Sequence, residues 1–347
     1  MTNYGFLWEI RAVSARPYRV HVISLNSNFQ HKDEGEMMMN KYYPEGHLLN
    51  TAANRAATAG VSSLRDAIHQ ELILEARAGL CDREHNLHVD LGVMKGVIPR
   101  DEGALGIEDG TVRDIALISR VGKPVCFTVT AIRKNEEGRY YALLSRRRAQ
   151  KKCLEEYVDL LTPGDILEPV VTHIENFGVF CDIGAGISAL LPIDLISVSR
   201  IPHPSARFFV GQKIRAAVFS RDAAGRVTLT HKELLGTWRQ NADLFAIGET
   251  VPGIIRSVES YGVFVELTPN LAGLAEYNPE VKEGEAAAVY IKNIIPERMK
   301  IKLVIVDHRQ EEPKIPPARY FAEGDRIDYF RYSPEESARV VETVFQP

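Results

Sequence analysis

Apolar and polar residues alternate with a period of two along residues 121–147, 210–231 and 284–307, and short Gly- or Pro-bearing loops interrupt the alternation. This is the pattern of strands that bury one face. The interruptions fall at Asn135-Glu136-Glu137-Gly138, Asp222-Ala223-Ala224-Gly225 and Pro296-Glu297-Arg298, so each stretch predicts a hairpin. Elsewhere the period lengthens. From Arg147 to Leu161, and again from Lys232 to Phe245, apolar residues recur three to four apart, which predicts short helices. Thr162-Pro163-Gly164 ends the first of them.

Two apolar stretches are nearly the same sentence. Residues 170–183 read VVTHIENFGVFCDI and residues 254–267 read IIRSVESYGVFVEL, placing Phe180 and Phe264 84 residues apart. A more divergent copy, HNLHVDLG at 85–92, aligns without gaps against FGVFCDIG (177–184) and YGVFVELT (261–268). Each copy is followed by one of the hairpins above, so the strand order is two or three strands, an irregular connection, then a hairpin. That order predicts a mainly β chain of three tandem five-stranded Greek-key barrels of the OB type, joined by short helical linkers.

The division follows: an N-terminal extension over 1–66, a divergent barrel over 67–148, a helical linker over 149–161, a barrel over 162–235, a second linker over 236–244, a barrel over 245–308, and a tail over 309–347. In the tail, a hairpin around Glu323-Gly324-Asp325 and a short helix after Ser333-Pro334 are expected, with Ser333 as N-cap. Met37-Met38-Met39 follow a Lys-Asp-Glu-Gly-Glu run whose codons are purine-rich. That order is expected if translation starts at one of these methionines and residues 1–36 are not part of the natural protein. The other reading is a poorly ordered extension.

The composition is ordinary for a globular chain of several domains: 347 residues, 45% hydrophobic and 25% charged. No long apolar run or secretory leader is read, and Cys81, Cys126, Cys153 and Cys181 fit no disulfide framework, so a cytoplasmic protein with free thiols is expected. The net charge of −4 argues against binding through a broad cationic surface. Charge is uneven, however: residues 68–152 hold fifteen Lys/Arg against twelve Asp/Glu, and residues 245–308 hold six against nine. A polyanion would prefer the first segment on these grounds.

Paired rings beside a glycine are the candidate chemistry. Residues three apart on a regular strand face opposite ways, so Gly178 implies a turn or bulge that aims Phe177 and Phe180 toward one surface. Two rings on a barrel face form a stacking platform for unstacked bases. The alternative places one ring of each pair inside the barrel. On the last strand of the third module, alternation puts Lys300 and Lys302 on one exposed face.

Residues 162–235 resemble the RNA-binding domain of the largest small-subunit ribosomal protein of bacteria. They carry NFGVFCDIG, ALLP (189–192), IPHP (201–204), VGQKI (210–214) and TLTHKELL (228–235). The third module matches through SYGVFVEL, LAGLAE and IKLVIVD, without the His and the closing Ser-x-Lys; the first matches through LHVDLGVMKGVIPR and ALLSRR. The resemblance implies single-stranded RNA or mRNA as partner, association with the small ribosomal subunit, and no cofactor or small-molecule substrate. It implies base stacking by Phe177, Phe180 and His203, phosphate contacts from Arg215 and Lys232, and equivalent roles for Tyr261 and Phe264. His85 and His88 carry over by position alone.

Other chemistry is weaker. Arg146-Arg147-Arg148 with Lys151-Lys152 would grip phosphates, or else form the solvated start of a helix. Cys81, His85 and His88, with Cys126, have ligand types suited to Zn²⁺, but no second close pair completes a site and no metal is expected. No phosphate loop, nucleophile elbow or carboxylate pair stands out, so no enzyme is expected. Three rivals remain open: a regulatory RNA-binding protein outside the ribosome, a protein-interaction module, and a metal-dependent enzyme.

Overall fold

A computed structural model describes residues 42–310 and 318–346. The first barrel consists of β1 (Leu74–Cys81), β2 (Leu87–Asp90), β3 (Lys95–Ile98), β4 (Pro124–Lys134) and β5 (Tyr140–Ser145), closed in the order β1-β2-β3-β5-β4. Two short helices, α1 (Ala52–Thr58) and α2 (Val61–His69), precede it, and α3 (Ile115–Ile118) lies in the β3–β4 connection. The stretch before residue 67 is thus partly helical. Its Asn54 side chain bonds the backbone of Glu75 in β1, and α2 buries Leu64 and Ala67 in the first barrel's core. The expectation about a start near Met37 concerns residues outside the described ones.

The second barrel comprises β6 (Ile166–Leu167), β7 (Val170–Glu175), β8 (Gly178–Gly184), β9 (Ile187–Pro192), β10 (Ala216–Arg221) and β11 (Val227–Thr230), in the order β6-β10-β11-β9-β8-β7. β6 and β7 are two halves of one strand, parted at Glu168-Pro169, where proline has no N–H to give the ladder. The sheet therefore returns to its own first strand, and the order is that of the first barrel. The third barrel repeats it with β12 (Thr250–Glu259), β13 (Gly262–Thr268), β14 (Leu271–Ala275), β15 (Ala286–Ile295) and β16 (Lys300–Arg309). In all three, the third strand pairs parallel with the fifth.

The helices between barrels differ from spacers. α4 (Arg146–Glu156) is capped by Ser145, whose Oγ accepts from the Arg148 amide, and it buries Ala149 and Cys153 in the core of the second barrel. α5 (Trp238–Ala242), opened by a capping box of Thr237 and Gln240, buries Trp238 in the core of the third. Apolar faces at helical spacing are covered by the adjoining barrels, so both linkers are structural.

The tail also departs from expectation. Gly324 turns the chain into a bridge between Arg326 and Asp165, and the hairpin is β17 (Tyr329–Arg331) with β18 (Glu342–Val344). After Ser333-Pro334 come turns instead of a helix. Ser333 Oγ accepts from the Val341 amide across the loop and is not available as an N-cap. Phe330, Tyr332 and Phe345 join the third barrel's core. All the described residues lie in one compact unit, Asn40–Pro347.

Candidate nucleic-acid interface

The repeated glycine has one physical cause in both places. Asn176-Phe177 and Ser260-Tyr261 are two-residue turns, and the next residue opens the strand. A Cβ on Gly178 would lie 2.5 Å from the Leu191 carbonyl oxygen; one on Gly262 would lie 2.5 Å from that of Ala275. The close approach lets the turn sit hard against the third strand, with its ring projecting outward. Phe177 is 55% exposed and Tyr261 67%, whereas Phe180 and Phe264 are half-buried. Each pair meets edge to face, with centroids 6.0 Å apart for Phe177–Phe180 and 6.2 Å for Tyr261–Phe264. The rings form a corner with one wall standing in solvent.

Register places these corners identically. Phe180 faces Leu190, which faces Thr228; Phe264 faces Leu274, which faces Lys302; His88 faces Val97, which faces Leu143. A bulge interrupts the first strand just before each residue opposite the slot, between Ala78 and Leu80, Val171 and His173, and Ile255 and Ser257. A bulge re-aims the following side chain. The bulge expected at Gly178 is therefore one strand away. In the second barrel it delivers His173, whose ring stacks on Phe180 at 6.4 Å and 28°. His173 was legible only as the residue three before the Asn176 turn.

The first barrel lacks the corner. Its β1–β2 loop, 82–86, is longer than two residues. Asp82 ties it together, accepting from the Glu84 and Asn86 amides. His88 Nε2 lies 2.8 Å from Asp82 Oδ2, and His85 Nδ1 lies 3.7 Å from Asp114. The His88 side chain, ahead of other contacts, holds the Asp82 carboxyl down to about 2. Neither imidazole is a free ring, and each lies beside a carboxylate. Cys126 is buried and its thiol donates to the Ala185 carbonyl, away from this pair of histidines.

Several of the expected cations are engaged elsewhere. Arg215 donates to the carbonyls of Ala322 (2.7 Å) and Gly324 (2.6 Å) and lies over the Tyr320 ring, so it anchors the tail. His203 opens a single 3₁₀ turn, its Nδ1 accepting from the Ser205 amide. Lys232 donates to the Asp194 carbonyl at 3.2 Å. Lys300 and Lys302 are exposed on β16. The basic run on α4 is largely paired: Arg146 is 3% exposed against Glu45, Arg147 meets Glu102 and Glu108, Lys152 meets Glu71, and Lys151 meets Glu155 on the exposed face.

Residues 160–232 match the family model described as S1 RNA binding domain. Over 324 residues, the chain is 28% identical to a protein of Mycobacterium leprae named small ribosomal subunit protein bS1, covering 86% of this chain and 64% of that protein. A bS1 homolog of Bacillus subtilis is 27% identical over 259 residues, 72% of this chain and 64% of the relative. Among solved structures, a multidomain protein with nucleic acid binding domains from Streptococcus pneumoniae aligns over 68% of this chain and 73% of its own, at 12% identity and a TM-score of 0.23. The chain spans about half to two thirds of the length of the curated relatives it matches.

Proposed function

We propose that this chain, an S1-domain protein related to the bacterial bS1 proteins, binds single-stranded RNA through the aromatic corners of its second and third barrels. The supporting observation is the pair of corners Phe177–Phe180 and Tyr261–Phe264, built at one register on two barrels with a ring of each in solvent. Exposed rings accept bases only where those are already unstacked, which favours single strands over duplexes. His173 and Lys302 flank the corners, the first extending the stack and the second at hand for a phosphate. The first barrel, which has His85 and His88 in the ring slots and no edge-to-face pair, makes no stacking corner. The chain acts as a binding protein.

Replacing both Phe177 and Phe180 with Ala tests this on the full chain, with an oligoribonucleotide titrated by fluorescence anisotropy. Loss of about 1–3 kcal/mol per stacked base is expected, against no change for His88→Ala. Wild-type affinity in the double variant would remove the second barrel from RNA recognition. We place the protein in the cytoplasm, on mRNA at the small ribosomal subunit, on the strength of the relatives' names. Co-sedimentation with purified small subunits at moderate salt tests that step. Free protein that still binds RNA would point to regulation outside the ribosome.

A further inference from the structure

Between the second and third barrels lies a cleft of about 860 Å³, a volume within the usual range of small-ligand sites, roughly 300–1,000 Å³. Its lining comes from the segment after β9 with Lys232, from Phe264 and the Arg298–Lys300 turn, and from the tail hairpin. Its sides cannot drift apart. Asn270 Nδ2 donates to the Lys232 and Gly236 carbonyls (2.7 and 2.9 Å), its Oδ1 accepts from the Val198 amide (3.1 Å), and its carbonyl accepts from Tyr332 Oη (2.6 Å). One residue thus pins both barrels and the tail.

The cleft concentrates unpaired charge. Arg200, Lys232, Arg298, Lys300 and Arg339 line it, and none forms an ion pair with a carboxylate among the described residues. Its four carboxylates, Asp194, Glu233, Glu297 and Glu342, leave a small positive excess, and Glu233 is buried, turned to the Thr230 and Thr343 hydroxyls. This contrasts with the paired basic run on α4. Phe264 belongs both to the third barrel's aromatic corner and to the cleft wall, so the two sites are continuous.

We infer that the cleft holds the nucleotide adjoining the one stacked on the Tyr261–Phe264 corner, its phosphate met by Arg298 and by Arg339 from the tail. The inference rests on the RNA reading and adds a composite site that no single barrel contains. The barrels then share one strand, and the tail is part of the binding surface.

The test uses the full chain and a short oligouridylate, with affinity measured across a salt series. Arg298 and Arg339 are both exposed, so Arg298→Ala with Arg339→Ala disturbs no core. Removing two phosphate-binding cations from a single-strand site reduces the slope of log affinity against log salt by about 1.4, at roughly 0.7 each. Tyr261→Ala is expected to weaken binding and leave that slope unchanged. A double variant with wild-type slope, beside a weakened Tyr261→Ala, would overturn the inference and leave the RNA reading standing. If both variants bind as wild type, the third barrel carries no RNA and both readings fail there. Crosslinking from 4-thiouridine supplies a second readout: adducts within Ser337–Arg339 support the cleft, and adducts confined to β13 oppose it.

Discussion

A single missing Cβ decides the aromatic corner of the second barrel and of the third. Gly178 and Gly262 are invaded by a carbonyl oxygen of the neighbouring strand, and no side-chain rearrangement can relieve a clash with backbone. Gly178→Ala is therefore expected to force β8 and β9 apart and to lower stability by about 1–3 kcal/mol. The measurement is a shift of the denaturant midpoint at unchanged slope. The aromatic-Gly pattern was readable in the sequence because the cause is local: two rings, a turn and a glycine within five residues. The identity of the third ring was not, because His173 reaches Phe180 through a cross-strand pairing set by a bulge. The partners of His203 and Arg215 were hidden for a related reason. Their chemistry suits RNA, but their partners, Ser205 for one and the Ala322 and Gly324 carbonyls for the other, are fixed by loop and tail conformation.

The elements between barrels are where periodicity says least about role. A helix pattern over 147–161 announces α4 but not that Cys153 closes a barrel core or that Arg146 is buried. The chain before the first barrel supplies the counter-charge. Glu45 Oε1 and Oε2 accept from Arg146 Nε (2.7 Å) and Nη2 (3.0 Å), Oε2 accepts also from Arg120 (2.9 Å), and Oε1 accepts from the Cys126 amide (3.0 Å). Its own amide donates to Asp182 in β8 (2.8 Å), so one residue joins the first barrel, α4 and the second barrel. Removing one partner of a buried ion pair leaves the other charge without compensation. Glu45→Gln is expected to cost about 3–5 kcal/mol, read as a loss of chemical stability. A cost below about 1 kcal/mol, usual for exposed pairs, would show that water reaches Arg146.

Across the whole molecule, the barrels are fused instead of strung. Arg207 and Arg256 share Glu266 in a buried junction between the second and third barrels, as Glu45 and Arg146 do between the first and second. The barrels and their order were legible because each hairpin is written locally; their fusion was not, because it rests on polar contacts between residues far apart in sequence. Such junctions make stability depend on pH. Burial pushes the Glu75 carboxyl up to about 7, even though the Gly46 and Leu49 amides, donating to it, favour its charge. Burial and the neighbouring Glu45 raise Asp182 as well, while Arg146 and Arg120, working against burial, keep Glu45 ionised below the usual range. A carboxyl raised in the folded state is protonated there while the unfolded chain is already charged. Its contribution is complete below the ordinary carboxylate range and is lost as pH climbs through about 7. The melting temperature should therefore fall from about pH 5 to about pH 7. Glu75→Gln and Asp182→Asn, which keep shape and remove titration, should flatten that fall. His231 works in the opposite sense and sets the acid limit. Burial holds it down to about 4, with Nδ1–H donating to the Ile196 carbonyl and Nε2 accepting from Tyr320 Oη. Its contribution is full above the ordinary histidine range and is lost as pH falls toward 4. A wild-type profile that rises from about pH 5 to about pH 7, or one that the two carboxamide variants leave unchanged, would show that Glu75 and Asp182 are hydrated and that the first junction opens in solution.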